Sequence, residues 1–187
     1  MIALPLRGRA ARATALILMA SLLRAALGPL GDGVSTTVFG CCLASIAWSE
    51  RDRVQVMGRW GRGASSVAGV ALGLVLLAPV LADPLSGRPL AAFWGWAAIA
   101  AVVATLEEVA IRGTLQERWT QEAGPAIAIV AGAIVFAAIH LPRYGLPSMP
   151  LDFAVGLALG GLRAITGRVM PGAIAHTMAD WGAWIWA

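Results

Sequence analysis

Lysine is absent from this chain, and charged residues make up only 13% of its 187 positions. So few charges cannot cover the surface of a water-soluble protein of this length. All 14 basic residues are arginine, a bias that, with so much alanine and glycine, suggests a bacterial protein encoded by GC-rich DNA. No stripe of basic residues alternates with aromatic ones, so nothing indicates a nucleic-acid-binding surface.

Cysteine and histidine are nearly as scarce as lysine. Cys41 and Cys42, the only two cysteines, are adjacent in an apolar segment. Their spacing indicates neither a disulfide framework nor a zinc knuckle, and we interpret them as small packing residues. The only two histidines, His140 and His176, also lie in apolar surroundings.

Apolar sequence is what the chain has in abundance, with 59% hydrophobic residues and a mean hydropathy of +0.77. In lipid, only helices and closed barrels satisfy their backbone polar groups, and these segments do not alternate as barrel strands do. We therefore predict an all-α, multi-pass transmembrane helical bundle of six or seven helices, or eight if one segment divides. Seven apolar segments can be marked, at residues 13–31, 34–48, 65–82, 91–111, 125–141, 150–165 and 170–186.

The arginines predict how these segments are oriented in the membrane. If all seven segments span the membrane and the N-terminus is cytoplasmic, the inner loops hold eleven of the 14 arginines. The outer loops then hold only Arg88 and Arg143. This bias follows the positive-inside rule. We expect a bacterial inner-membrane protein with a cytoplasmic N-terminus. It would be one integral-membrane domain, with N-terminal transmembrane helices over 1–90 and a second helical part over 91–187.

Two adjacent carboxylates, Glu107 and Glu108, interrupt the apolar run, with Arg112 shortly after them. Ionisable groups at membrane depth are costly and are usually functional. Glu108 and Arg112 have the i,i+4 spacing of a helical ion pair, so we expect each to neutralise the other. Glu107 is rotated about 100° away on an α-helix and can face another helix. A carboxylate placed there can accept a proton from water.

A turn signal, Gly124-Pro125, allows a geometric argument about Glu107 and His140. Each of these two residues lies about sixteen positions from the turn, so a helical hairpin would set them level, roughly 25 Å from it. This requires the helix of Glu107 to run on through the polar stretch 116–118. The positive-inside count instead ends the helix near residue 111. If the helix does run on, the topology needs local revision, with residues 94–104 and 107–122 as separate helices.

His140, His176 and Asp180 complete a set of polar groups on three segments. His176 and Asp180 share a helix face at i,i+4. One shared site is the simplest account of these groups and Glu107. Two histidines with glutamate could hold zinc, although the chain has no His-Glu-x-x-His helix. Without metal, Glu107 and a histidine could activate water while other polar groups stabilise an oxyanion. Spacing alone leaves both mechanisms open.

Three motifs give the chain a resemblance to a known family. In order and spacing, they resemble those of the CAAX-protease and bacteriocin-processing family, whose eukaryotic members are the type II CAAX prenyl endopeptidases. The motifs are Glu107-Glu108-x-x-x-Arg112-Gly113, Phe136-x-x-x-His140 and His176-x-x-x-Asp180. The linking residues Gly156, Gly160, Gly161, Arg163, Gly167 and Pro171 are similar as well. The resemblance covers about residues 100–182, and it implies that the part over 91–187, which carries the three motifs, is the catalytic helical core.

The resemblance implies a glutamate-type intramembrane endopeptidase that needs neither cofactor nor metal. Glu107 would be the base, His140 would hold or polarise the water, and His176 with residue 180 would stabilise the oxyanion. Glu108, Arg112 and Phe136 would support these groups. The family often has Asn where this chain has Asp180. Because an ionised Asp cannot donate a hydrogen bond, we expect Asp180 to orient His176 instead. We interpret Gly156, Gly160 and Gly161 as helix-packing residues.

Two other functions remain open from the sequence. A non-catalytic immunity or scaffold protein could bind a peptide in the same cavity, and a proton-coupled transporter could use buried Glu and His. The expected partners are a protein or peptide substrate and the lipid bilayer, without nucleic acid. A bacterial source disfavours a prenylated substrate.

Overall fold

Helices account for all the regular structure in residues 8–50, 59–82 and 90–186, which are the residues that the computed structural model describes. This confirms the prediction of an all-α bundle. The α-helices are α1 (Arg9–Ala26), α2 (Asp32–Ser49), α3 (Arg62–Ala82), α4 (Leu90–Glu108), α5 (Gln116–Ala123), α6 (Pro125–Tyr144), α7 (Met149–Thr166) and α8 (Met170–Trp186). Short 3₁₀ turns, Gly28–Leu30 and Leu146–Ser148, join α1 to α2 and α6 to α7.

The helix that contains Glu107 continues well beyond it. Between α4 and α5 the chain remains helical as a π-helical segment, Val109–Leu115. The prediction that the helix runs on through residues 116–118 is therefore confirmed, and the expected break between residues 104 and 107 is wrong. The helix ends at Gly124, whose φ of 89° is readily adopted only by glycine, and Pro125 begins α6. The Gly124-Pro125 turn is therefore where the sequence placed it.

Within the described residues, three helices are long and apolar enough to cross a membrane, namely Ala92–Ala123, Pro125–Tyr144 and Leu146–Thr166. A shorter apolar helix covers Arg62–Ala78. A span needs about 20 predominantly apolar residues, so these lengths support a membrane protein. That every one of the seven predicted segments spans the membrane stays a prediction.

The chain divides into two compact units that interleave along the sequence. Unit 1 consists of Met1–Val54 and Val109–Gly161, and unit 2 of Gln55–Glu108 and Leu162–Ala187. These boundaries do not coincide with the boundary expected at residue 90. The division of one membrane domain into N-terminal and catalytic parts stays a prediction.

Polar contacts fasten the helices of unit 1 at one end. Arg118 of α5 is buried and donates to the backbone carbonyl of Glu50 at 2.6 Å, just after α2. Arg12 of α1 forms an ion pair with the Glu50 carboxylate at 3.1 Å. Glu122, near the end of α5, accepts a hydrogen bond from the backbone N–H of Ala10 at 2.9 Å, in the first turn of α1. These contacts bring the polar α5 against α1 and α2.

Glycines allow α7 to approach α6 closely in the same unit. A Cβ added at Gly156 would lie 2.8 Å from the Cα of Ala133, and one at Gly160 would lie 3.2 Å from Ile129. The packing role expected for these two glycines is confirmed. It is wrong for Gly161, because a Cβ there would meet nothing within 4 Å.

We expect Gly156→Ala to destabilise the protein by roughly 1–3 kcal/mol, because its methyl group would collide with the backbone of α6. Thermal unfolding in detergent measures this effect. Gly161→Ala is the matched control in α7, and its higher helix propensity should leave stability unchanged or raise it by up to about 1 kcal/mol. Equal effects of the two substitutions would contradict the close-packing explanation.

In unit 2, α8 packs between α3 and α4. Gly69 of α3 lies against Pro171, and Gly73 lies against Met178, so α3 and α8 run in the same direction. α4 runs antiparallel to α8, since the indole of Trp181 near the end of α8 donates to the carbonyl of Ala97 in the first half of α4 at 3.2 Å. This arrangement places the end of α4 beside the beginning of α8.

Candidate active site

Four of the predicted site residues lie together where α4 ends beside α8. Glu107 and Glu108 occupy the last two positions of α4, and His176 and Asp180 lie one turn apart on one face of α8. Glu107, Glu108 and His176 are buried, with exposed fractions of 3%, 0% and 3%. The side chain of Asp180 is one-third exposed.

The His176 imidazole lies among the three carboxylates. Its Nδ1 is 3.2 Å from Oε1 of Glu108. When Glu108 is a carboxylate, which only accepts hydrogen bonds, Nδ1 carries the proton and donates to it. The other ring nitrogen, Nε2, is 3.8 Å from Oε2 of Glu107 and 3.8 Å from Oδ1 of Asp180. These two distances exceed a direct hydrogen bond.

The two edges of the imidazole therefore have different surroundings. Glu108 holds the Nδ1 edge, and the Nε2 edge is directed towards Glu107 and Asp180. A buried carboxylate requires hydrogen bonds or an opposite charge to offset its desolvation, and the Nδ1–H of His176 supplies one such bond to Glu108. On the Nε2 side, the carboxylates of Glu107 and Asp180 are groups that could activate water directly. Imidazole and carboxylate are also ligand types that zinc accepts, so both mechanisms left open by the sequence can use these groups.

The remaining predicted residues, Arg112, Phe136 and His140, lie in unit 1. Arg112 is buried in the π-helical segment, with its guanidinium carbon 4.7 Å from the centre of the Phe136 ring. It also donates to the carbonyl of Gly156 on α7 at 3.2 Å. Phe136 is therefore in contact with a cation, and the centre of its ring lies 4.5 Å from the centre of the His140 imidazole.

The orientation of His140 follows from its own helix. Its Nδ1 lies 2.8 Å from the carbonyl oxygen of Phe136, one turn earlier in α6. Since a carbonyl oxygen only accepts, Nδ1 carries the proton, and in the neutral ring Nε2 is the acceptor nitrogen. The Tyr144 ring stacks on the imidazole at 5.8 Å with an interplanar angle of 13°. His140 thus presents a defined tautomer.

Two predicted pairings join residues of different units and stay predictions. These are the facing of Glu107 with His140 and the ion pair of Glu108 with Arg112. The contact found for Glu108 within its own unit is His176, a partner that the helical spacing did not indicate. The roles of all seven predicted residues also stay predictions.

Three residues that the sequence reading did not select also contact these elements. Gln116 is buried and donates to the carbonyl of Gly160 at 3.0 Å, one turn after the matching bond from Arg112 to Gly156. Gly172 lies against Glu108, and Gly69 lies against Pro171. The Gly69-x-x-x-Gly73 pattern could have indicated close packing of α3. A weaker signal was that Gly172 lies four residues before His176 and therefore on the same face of α8.

Comparison with protein families gives one match. The model of the family described as Type II CAAX prenyl endopeptidase Rce1-like matches residues 89–182, half of the chain. The matched range includes all seven predicted site residues. No curated protein and no solved structure matches the chain.

Proposed function

Because the chain belongs to the Type II CAAX prenyl endopeptidase Rce1-like family, a family of proteases, we propose that it is a glutamic-type intramembrane endopeptidase. Its substrate would be a membrane-associated protein or peptide. The observation that carries this proposal is the buried group of Glu107, Glu108 and His176 with Asp180 at its edge. Such a group needs a functional reason in an apolar helical protein.

Glu107 would act as the general base. Its carboxylate accepts a proton from water, and the resulting hydroxide attacks the carbonyl carbon of the scissile peptide bond. Collapse of the tetrahedral intermediate breaks the C–N bond, and the proton held by Glu107 passes to the leaving nitrogen. The products are a carboxylate and an amine. The burial of Glu107 supports this role, since a base inside the protein can be kept from bulk water.

His176 would stabilise the oxyanion of that intermediate. With Nδ1–H donating to Glu108, donation from Nε2 requires the doubly protonated imidazolium, and in that form Nε2–H would donate to the developing negative charge. Glu108 is therefore proposed to support His176. Asp180 lies on the Nε2 side, 3.8 Å away, and we propose that it aligns the ring from that side, consistent with an orienting role.

His140 is proposed to hold or polarise the attacking water. Its Nδ1–H is bound to the Phe136 carbonyl, so its Nε2 is the nitrogen that would accept a hydrogen bond from water. Arg112 and Phe136 would support this ring, because the guanidinium lies over Phe136 and Phe136 contacts His140. We further propose a bacterial inner-membrane location with a cytoplasmic N-terminus, on the strength of the arginine distribution.

Quantitative membrane proteomics tests the proposed function. Cells that express the wild type are compared with cells that express Glu107→Gln at the same level. We expect at least one membrane-associated polypeptide to accumulate in uncleaved form with the variant. Identical cleavage patterns, together with a cellular phenotype that tolerates the substitution, would instead favour a non-catalytic scaffold.

A further inference from the structure

The first turn of α8 makes two unusually close contacts, one with α4 and one with α3. A Cβ added at Gly172 would lie 2.6 Å from Oε2 of Glu108. One added at Gly69 would lie 2.6 Å from the carbonyl oxygen of Pro171 and 2.8 Å from its Cα. Real Cβ atoms essentially never approach another heavy atom to less than 3.0 Å. At Gly69 the neighbouring atoms are backbone, so the packing there requires a glycine. At Gly172 the neighbour is the end of the Glu108 side chain, so a Cβ would require that carboxylate to move.

The contact at Gly172 bears directly on His176. Gly172 and His176 are four residues apart, so they lie on one face of α8. The Glu108 carboxylate lies along this face, with Oε2 over Gly172 and Oε1 3.2 Å from Nδ1 of His176. A side chain at position 172 would push the carboxylate away from the helix and disturb the hydrogen bond that holds the imidazole.

We propose that Gly172 is a positioning residue for the hydrolytic site. By leaving room for Glu108 against α8, it sets the orientation of His176 and the direction of its Nε2. This inference rests on the proposed function for its catalytic consequence, although the orientation of the ring can be measured independently. Helix propensity does not explain a glycine at this position, since glycine is less favourable than alanine inside a helix. The positioning role does explain it.

Gly69 supports the same turn from the side of α3. Its contact is with the backbone of Pro171, so a methyl group there could be accommodated only by moving one helix. Gly69 lies outside the residues that the family model matches. Through this contact α3 holds the beginning of α8 in place, while Glu108 holds His176.

The test combines Gly172→Ala with the control Gly95→Ala. Gly95 is a helical glycine of the same unit, and a Cβ there would meet nothing within 4 Å. ¹⁵N-histidine NMR in detergent micelles reports the ring orientation, because the chain has only two histidines and a His140→Gln spectrum assigns them. We expect Gly172→Ala to shift or remove the hydrogen-bonded Nδ1 signal of His176, while Gly95→Ala leaves it unchanged.

Kinetics on the substrate found by proteomics provides the second readout. We expect Gly172→Ala to lower kcat by at least about tenfold with little change in KM, because small displacements of a catalytic group are costly. Gly95→Ala should match the wild type. If the NMR signal moves in Gly172→Ala but neither the wild type nor any variant shows cleavage, the positioning role stands and the proposed function fails.

A compensating variant distinguishes positioning from a general loss of structure. Glu108→Asp shortens the side chain by one methylene group and so makes room for a methyl at position 172. We expect Gly172→Ala with Glu108→Asp to recover part of the stability and part of the His176 signal lost in Gly172→Ala alone. An unchanged His176 signal and kcat in Gly172→Ala, or a double variant no better than that single variant, would overturn the proposal.

Discussion

Replacing Glu107 with Gln is expected to slow cleavage by at least about 100-fold and up to about 10⁴-fold, the usual range for loss of a general base. Gln has nearly the same size as Glu but cannot take the proton from water. The thermal unfolding temperature should stay close to that of the wild type, because Glu107 lies 3.8 Å from His176 Nε2 and does not hold the imidazole in place through that contact. Initial cleavage rates and thermal unfolding in detergent measure the two quantities.

Glu117→Gln is the matched control for this experiment. It makes the same chemical change ten residues further along, in α5, where the Glu117 carboxylate accepts a hydrogen bond from Gln121. We expect wild-type activity from this control. Retention of normal cleavage by Glu107→Gln would refute the proposed mechanism. Cleavage that survives exhaustive chelation would separate a metal-free reaction from the zinc alternative.

The helices could be predicted largely from the sequence, because a membrane protein shows its spans as apolar runs. All seven marked segments correspond to helices, and the turn at Gly124-Pro125 lies where the glycine–proline pair indicated. The exact ends were less predictable. Apolar composition says where a helix can lie in lipid, but the polar stretch 116–118 continues as a helix because contacts such as Arg118 with Glu50 stabilise it.

The π-helical segment after Glu108 had no sequence signal. It differs from an α-helix only in its i→i+5 hydrogen bonds, a backbone choice that tertiary packing can impose on many sequences. Arguments from α-helical spacing therefore do not apply across Val109–Leu115. Two predictions assumed α-helical spacing through this segment. They are the pairing of Glu108 with Arg112 and the estimate that set Glu107 level with His140.

The surroundings of the candidate site were predictable only in part. The i,i+4 spacing of His176 and Asp180 was sufficient to put them on one face of α8, because neighbours on one helix follow from its period. The contact of Glu108 with His176 joins residues 68 positions apart. No helical period predicts it, since it depends on the antiparallel packing of α4 and α8. The contact of Gly172 with Glu108 was missed for the same reason, whereas the Gly69-x-x-x-Gly73 pattern was a usable signal for the close packing of α3.

The second large effect is expected for His176→Asn. The Asn amide can place an N–H donor near the position of Nδ1 and so keep the hydrogen bond to Glu108, but it has no group at the position of Nε2. We therefore expect kcat to fall about 100- to 1000-fold, as for loss of an oxyanion donor, with little change in stability. His176→Leu should lose a similar amount of activity and about 2 kcal/mol of stability as well, because it removes the donor to a buried carboxylate.

Combining His176→Asn with Glu107→Gln tests whether the two residues act in one step. Residues that act as a unit in catalysis have strongly non-additive effects. If Glu107 generates the hydroxide whose attack creates the oxyanion at His176, the second substitution should cost far less in the presence of the first than it does alone. Single-turnover cleavage rates of the wild type, both single variants and the double variant close this cycle. Multiplicative losses would place His176 outside the step that Glu107 catalyses, and its contact with Glu108 would then serve the fold alone.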